Sequence, residues 1–463
     1  MIGFWGTTMI EETTKREGFG SRIGFILVGA GCAIGIGNVW RFPYMVGQNG
    51  GAIFVLFYLG FLVLMGAPVL IMELSVGRAS GMTTMRGMKK LEKPGQIWHI
   101  HGWVGYAGSV LLMMYYTTVS GWMLAYFWKF LNGTFEDVSP EKTSDIYQDM
   151  LANPGEMLLF MGLIVGLGFL VLSFGVQKGL ERGTKVMMTS LLILILVLAV
   201  HSICLKNAGK GLEFYLLPDL SKAKAAGWGE VISGAMTQAF FTTSVGMGAM
   251  EIFGSYMSKE HTIAGEAIRI ISMDTFVAIM AGLIIFPACF SFGVEPDQGP
   301  SLIFITLPRI FMNMNGGRIW GALFFLFMVF ASFSTVTAVC ENLVCSLMDN
   351  LGWKRPKSVL INFIIVLITG IPCILGFNRW AGVTPIGDKG ILESEDFLVS
   401  NLVLPVGAVI FTIFCTWRFG WGAERFLEEA NTGRGMRISR RLIPYFKYVL
   451  PILTIIVLVR GFF

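Results

Sequence analysis

The sequence predicts an all-α integral membrane protein with eleven transmembrane helices, built as an inverted five-plus-five repeat whose helices 1 and 6 are broken. Three observations carry that expectation. Of 463 residues, 54% are hydrophobic and 14% charged, where a soluble domain carries about 25% charged residues; the mean hydropathy is +0.68. Apolar runs of roughly the 20 residues a bilayer crossing needs recur along the whole chain. Glycines interrupt two of these runs, at matching places in the two halves.

The runs fall near residues 23–47, 51–77, 103–130, 157–176, 184–205, 230–256, 263–292, 318–349, 358–377, 396–417 and 443–462. One membrane domain, 1–463, is expected. Its first repeat covers 22–205 (helices 1–5), the inverted second repeat covers 230–417 (helices 6–10), and helix 11 covers 443–462. Basic residues concentrate in alternate junctions, with Arg78, Arg86, Lys89, Lys90 and Lys93 in one and Arg434, Arg437, Arg440 and Arg441 in another. Because Lys and Arg stay on the cytoplasmic side, the N-terminus is expected inside and the C-terminus outside a multi-pass protein of the cell (plasma) membrane.

The net charge of +5 does not indicate nucleic acid, since the basic residues sit in short loops between apolar runs. The seven cysteines lack any CxxC spacing and lie in or at the ends of apolar segments, as small buried hydrophobes do. His99 and His101 flank a loop with no acidic or thiol partner nearby, which argues against a metal site there. The first residues show no signal-peptide pattern. With no His, Cys or carboxylate cluster at catalytic spacing, an enzyme is not expected.

The two interruptions read GAGCAIGIGNVWRFP (29–43) and FFTTSVGMG (240–248). Each unpaired backbone group costs several kcal/mol in hydrocarbon, so a broken helix survives where it lines a cavity or binds something. Paired breaks in corresponding positions of two halves mark a transporter's central site. Close packing through small residues is the alternative, and Gly31 and Gly35 have the GxxxG spacing; packing alone leaves the polar residues beside both breaks unexplained.

GIGNVWRFPY, QNGGAIFVLFY, GAPVLIMELSVGR, MMYYTTVSGW, QAFFTTSVGMG, ASFSTVTA and EDF together resemble the neurotransmitter:sodium symporter family over residues 16 to 460, and in particular its eleven-span bacterial amino-acid transporters. The resemblance implies sodium-coupled symport by alternating access, with two Na⁺ ions. It places one sodium among Ala33, Asn38, Thr242, a helix 7 side chain (Asp274 here) and the substrate carboxylate. The second belongs among the Gly31, Ile34 and Ala331 carbonyls and the Ser334 and Thr335 hydroxyls. The substrate's main chain is expected at Gly35, Gly37 and Tyr116, and its side chain among Leu112, Phe241, Ser244, Met247, Thr335 and Val339, with Cys32 and Ile36 nearby. Arg41 with Asp396 matches the family's extracellular gate, and Arg16 with Asp349, near Ser255 and Tyr256, its cytoplasmic gate.

Several departures refine the expectation. Monoamine carriers of the family have an aspartate at the position of Gly35, so glycine suits a substrate that brings its own carboxylate. The uncharged pocket disfavours charged side chains. Methionine at 247, where smaller-pocket relatives have phenylalanine, suits large hydrophobic or aromatic L-amino acids. Asp274 replaces the usual asparagine and Ala278 follows one turn on. A fixed carboxylate there repels chloride, so chloride independence is expected although Tyr58 and Gln238 still match the chloride pattern. The alternatives are an amino-acid sensor without transport and a chloride-dependent symporter of another small carboxylated solute.

Overall fold

The computed structural model describes residues 18–136, 138–293 and 300–462; Arg16 lies outside them. The chain opens with α1 (Arg22–Ala33) and α2 (Gly37–Gln48), bent by 55° at the break between them. Next come α3 (Ala52–Ser80), α4 (Trp98–Leu131), α5 (Pro154–Ser173) and α6 (Val176–Ile203). A second interrupted pair follows, α7 (Trp228–Thr243) and α8 (Ala249–Tyr256). The chain continues through α9 (Ile263–Ser291), α10 (Gly317–Leu351), α11 (Arg355–Leu375), α12 (Ile391–Thr416) and α13 (Arg440–Arg460).

Among the described residues, nine of these helices are long and apolar enough to cross a membrane, and the bent α1–α2 pair makes a tenth if counted as one span. The α7–α8 pair is divided into 16 and 8 residues, so neither half reaches across alone. The perimeter is apolar: Leu167 and Leu170 on α5, Ile193 and Val200 on α6, Ile364 and Ile368 on α11, and Ile452 on α13 are exposed. A belt of that composition has hydrocarbon as its natural solvent.

Burial orders the helices from centre to edge. The most apolar stretch of α10 is 83% buried, that of α13 only 28%, so α10 is a central post and α13 a peripheral one. The post packs along α4 and against α1. α8 sits close against α3 because small residues allow it: a Cβ on Gly77 of α3 would lie 1.9 Å from the Glu251 carbonyl, and one on Gly254 of α8 would lie 2.3 Å from that of Leu74. Only backbone fits between α3 and α8.

Five helices carry a widened, π-type turn ending two residues before a proline: Gly37–Arg41 before Pro43, Leu62–Gly66 before Pro68, Leu302–Thr306 before Pro308, Leu398–Val403 before Pro405, and Tyr445–Val449 before Pro451. Proline lacks an N–H and its ring crowds the carbonyl four residues back, so the turn before it opens. The N-terminus of α1 is held at the side. Ser21 caps it, accepting from the Gly24 amide at 3.0 Å, while Glu181 of α6 takes the Ser21 hydroxyl at 2.9 Å and the Gly20 amide at 2.7 Å. Six of the seven cysteines are buried and none is in a disulfide; Cys204 is exposed.

Candidate functional site: two helix breaks around a narrow cavity

At the first break Ile34 turns extended (φ −70°, ψ 110°) after its amide closes on Ala30. The carbonyls just before it then lose their helical partners and point at α10. The Thr335 hydroxyl lies 3.3 Å from the Gly31 carbonyl, 3.4 Å from that of Cys32 and 3.1 Å from that of Ile34. The Ser334 hydroxyl reaches the carbonyls of Ile34 at 3.4 Å and Ala331 at 2.9 Å. Ser334 therefore back-bonds its own helix and faces the break, whereas Thr335 serves the break. The five residues expected to share a cation thus converge as oxygen atoms, the donor type that a small hard cation takes.

The amides after the break turn the other way. Gly35 N–H donates to Asn38 Oδ1 at 3.0 Å and Ile36 N–H to the Tyr116 hydroxyl at 3.0 Å. Asn38 Nδ2 donates to Asp274 Oδ1 at 2.8 Å, and the Thr242 hydroxyl to Asp274 Oδ2 at 2.9 Å. Asn38, Thr242 and Asp274 are all buried, so this knot joins α2, α7 and α9 in the interior. A buried carboxylate needs either a cation or donors around it, and here it has both donors that the sequence pairs with it.

The second break is built on left-handed backbone: Ser244, Gly246 and Gly248 have φ of 50°, 108° and 81°. Serine there is costly, because a Cβ crowds its own carbonyl in that region. Buried Glu73 of α3 compensates by accepting from the Gly246 amide at 2.9 Å and the Met250 amide at 3.0 Å. His101 Nε2 meets the Gly246 carbonyl at 2.9 Å.

Between the breaks lies a cavity of about 20 Å³ lined by Ala33, Gly35, Gly37, Leu112, Tyr116, Phe241, Thr242, Ser244, Met247, Thr335, Val399 and Leu404. No charged side chain lines it. Gly35 is glycine for lack of room: a Cβ would sit 2.2 Å from the Tyr116 hydroxyl and 2.7 Å from that of Thr335. Val339, expected in the pocket, does not line this cavity and is buried in α10; Cys32 and Ile36, expected nearby, contribute a carbonyl and an amide to the bonds around it.

The model of the Sodium:neurotransmitter symporter family matches residues 16–139 and 140–463. The chain belongs to this family. It is 32% identical over 445 residues to an uncharacterized sodium-dependent transporter of Bacillus subtilis, covering 96% of this chain and 97% of that one. It is 25% identical to the human sodium- and chloride-dependent GABA transporter 2, covering 92% of this chain and 77% of the relative. The crystal structure of MhsT in complex with L-phenylalanine superposes with a TM-score of 0.87 at 36% identity, covering 96% of this chain and all of that one. This member of the symporter family is accordingly a sodium-dependent transporter in a membrane and not an enzyme.

At one end of the cavity, Arg41 stacks over the Phe241 ring at 4.3 Å and reaches Ser400 Oγ at 3.3 Å. Ser400 donates to Asp396 at 2.9 Å, as does Tyr115 at 3.0 Å. Arg41 and Asp396 thus meet through Ser400, not directly. Near the C-terminal end of α10, Asp349 accepts from the amide and hydroxyl of Thr83 at 2.7 and 2.9 Å. Tyr256 donates to Glu341 at 2.7 Å. Glu341 pairs with Arg355, whose Nε also reaches the Leu172 carbonyl at 2.9 Å.

Sequence reasoning missed Glu73, Glu341, Ser400, Val399 and Leu404. Glu73 and Glu341 carried a usable signal, since an ionisable residue inside an apolar span is by default a functional candidate. It also misjudged His99, whose Nδ1 lies 2.7 Å from Glu92, a carboxylate that Lys89 shares at 3.1 Å. Among the described residues, no group of three or more His, Cys, Asp or Glu is placed to hold a metal ion.

Proposed function

We propose that the chain is a symporter that imports neutral, large hydrophobic or aromatic L-amino acids with sodium by alternating access, without needing chloride. One observation carries the reading. The oxygen atoms around residues 31–34 and the Asn38–Thr242–Asp274 knot flank one uncharged cavity that both helix breaks line. Freed carbonyls suit sodium, and freed amides at a positive helix end suit a carboxylate. The side-chain end of the cavity, formed by Leu112, Phe241, Met247, Val399 and Leu404, is apolar, which matches a solute with an apolar side chain. MhsT, which resembles this chain, was crystallised with such an amino acid.

In this reading one sodium is held by Ala33, Asn38, Thr242, Asp274 and the substrate carboxylate, the other by Gly31, Ile34, Ala331, Ser334 and Thr335. The cavity is far smaller than the several hundred Å³ of a ligand pocket, so loading requires the Phe241 ring to move aside. Arg41 rides on Phe241, so that movement and the opening of the Arg41–Ser400–Asp396 chain are one event. Asp349 belongs to the gate at the opposite end in the same reading. Counting α1–α2 and α7–α8 as one crossing each gives eleven, which sets the termini on opposite sides, and the basic junctions favour a cytoplasmic N-terminus and an outer C-terminus in the plasma membrane. Two sodium ions moving down a tenfold gradient and about 100 mV supply roughly 7 kcal/mol, enough to drive accumulation against a steep gradient.

The test is uptake into proteoliposomes from a mixture of all twenty amino acids, driven by a sodium gradient in chloride-free gluconate buffer and read by mass spectrometry. Sodium-dependent loading of a few large apolar amino acids is expected. Loading only after chloride is restored would reject the role of Asp274, and no loading in either buffer would favour a sensor. In the same vesicles Asp274→Asn removes the fixed charge. Charge-assisted bonds contribute about 1.5–3 kcal/mol, so chloride-free uptake should fall roughly tenfold or more; unchanged uptake rejects the assignment.

A further inference from the structure

The face that α4 turns toward the second break carries a group that the ion and substrate sites leave unused. His101 is buried, with 4% of its surface exposed, and its Nε2 lies 2.9 Å from the Gly246 carbonyl. A carbonyl oxygen only accepts, so Nε2 carries the proton and donates. The other ring nitrogen, Nδ1, is buried with no hydrogen-bond partner among the described residues. The ring packs edge-on to Phe411 at 5.4 Å.

That arrangement is costly. A buried ring nitrogen without a partner loses its hydration for nothing, and a leucine would fill the same space without the loss. The bond to Gly246 is what histidine adds. Gly246 is where such a bond has leverage, because it stands at φ 108° with no helical neighbour to fix its peptide planes. Glu73 holds its amide side at 2.9 Å. On the carbonyl side, His101 is joined by close packing: a Cβ on Gly407 would lie 1.9 Å from the Gly246 oxygen.

The next residue is Met247, whose side chain lines the cavity. One turn along α4 from His101, a Cβ on Gly105 would lie 2.4 Å from the Met247 carbonyl, and a further turn on, one on Gly108 would lie 3.5 Å from the Met247 sulfur. The His101 face of α4 therefore sets both the backbone position and the side-chain room of Met247.

We propose that His101 is a positioning residue for substrate selectivity: by holding the Gly246 carbonyl it fixes the wall that Met247 presents to the cavity. The inference rests on the reading of that cavity as the amino-acid site. It predicts an effect on which side chains are accepted, not on sodium, because His101 touches none of the oxygen atoms around residues 31–34 or Asp274.

The test compares His101→Leu with His101→Gln, whose side-chain amide retains a donor, in reconstituted full-length protein. A net hydrogen bond of about 0.5–1.5 kcal/mol corresponds to roughly a two- to tenfold change in affinity. His101→Leu should shift the ratio of KM for tryptophan to KM for leucine by that factor, while kcat and the half-saturating sodium concentration stay within about twofold of wild type. His101→Gln should recover most of the ratio. A parallel loss for every substrate, equal in both variants, would mark a purely structural residue and overturn the proposal, as would an unchanged ratio in His101→Leu. Hydrogen–deuterium exchange over residues 244–250 of the purified protein, without substrate, is a reading independent of what is carried. Faster exchange in His101→Leu with wild-type exchange in His101→Gln supports the clamp; identical exchange in all three overturns it. If wild type carries no amino acid yet the exchange differs as expected, the proposed function fails and the clamp stands.

Discussion

The two helix breaks solve one problem with different chemistry. Around residues 31–36 the loosened backbone is held by neutral groups, the hydroxyls of Ser334, Thr335 and Tyr116 and the amide of Asn38. Across 244–248 it is held by a buried carboxylate and an imidazole, and it carries three residues in left-handed conformation. A carboxylate that accepts two backbone amides holds them more strongly than neutral hydroxyls and amides do, so Glu73 fastens the second break while the first is more loosely tied. In the proposed reading the first break gives its carbonyls to donors that a sodium ion displaces at small cost, and the second serves as a firm wall that sets shape.

The contrast is most easily broken at Glu73. Its two oxygens serve two different amides, Gly246 and Met250. Glu73→Gln keeps one acceptor and turns an NH₂ group toward the other N–H, leaving a buried donor facing a donor. A loss of about 2–4 kcal/mol is expected, read as the largest fall in melting temperature of the set; wild-type melting would mean that the second break is not fastened there.

A smaller effect is expected at Thr335, the neutral counterpart. Thr335→Val keeps the shape and removes the hydroxyl that faces three carbonyls. Stability should fall by about 1 kcal/mol, and the sodium concentration for half-maximal uptake should rise roughly three- to tenfold. A large melting shift with unchanged sodium dependence would reverse the assignment of roles.

The smallest effect belongs to Ser244, the non-glycine residue at φ 50° in the second break. Its hydroxyl reaches the Cys32 carbonyl at only 3.5 Å, a weak bond. Ser244→Gly relieves the left-handed strain but frees the unfolded chain, two terms of about 1 kcal/mol that oppose each other. Calorimetry should find stability within roughly 1 kcal/mol of wild type; a loss comparable to Glu73→Gln would show that Ser244 is itself a fastener.

Much of this was legible in the chain. Apolar length located the helices within a few residues, as with α10 at Gly317–Leu351 against an expected 318–349, because hydrocarbon thickness sets helix length. Both breaks were legible because glycines cluster there beside polar residues, which packing through small residues alone leaves unexplained. The residues around them were not. Glu73 meets Gly246 across 173 positions and His101 meets it across 145; periodicity within one helix carries no information about which face meets which neighbour. Ser400 was hidden similarly, being unremarkable until α12 brings it between Arg41 and Asp396.

The fit around Gly35 also bears on how such a carrier diversifies. A Cβ at that position would press on the Tyr116 and Thr335 hydroxyls at once, so no single substitution there leaves its neighbours undisturbed. A lineage that acquires a side chain at residue 35 must first, or simultaneously, shift Tyr116, and the order of the two changes decides whether the intermediate still works. A side chain at residue 35 is thus a change to the whole pocket, since it displaces both hydroxyls that border it.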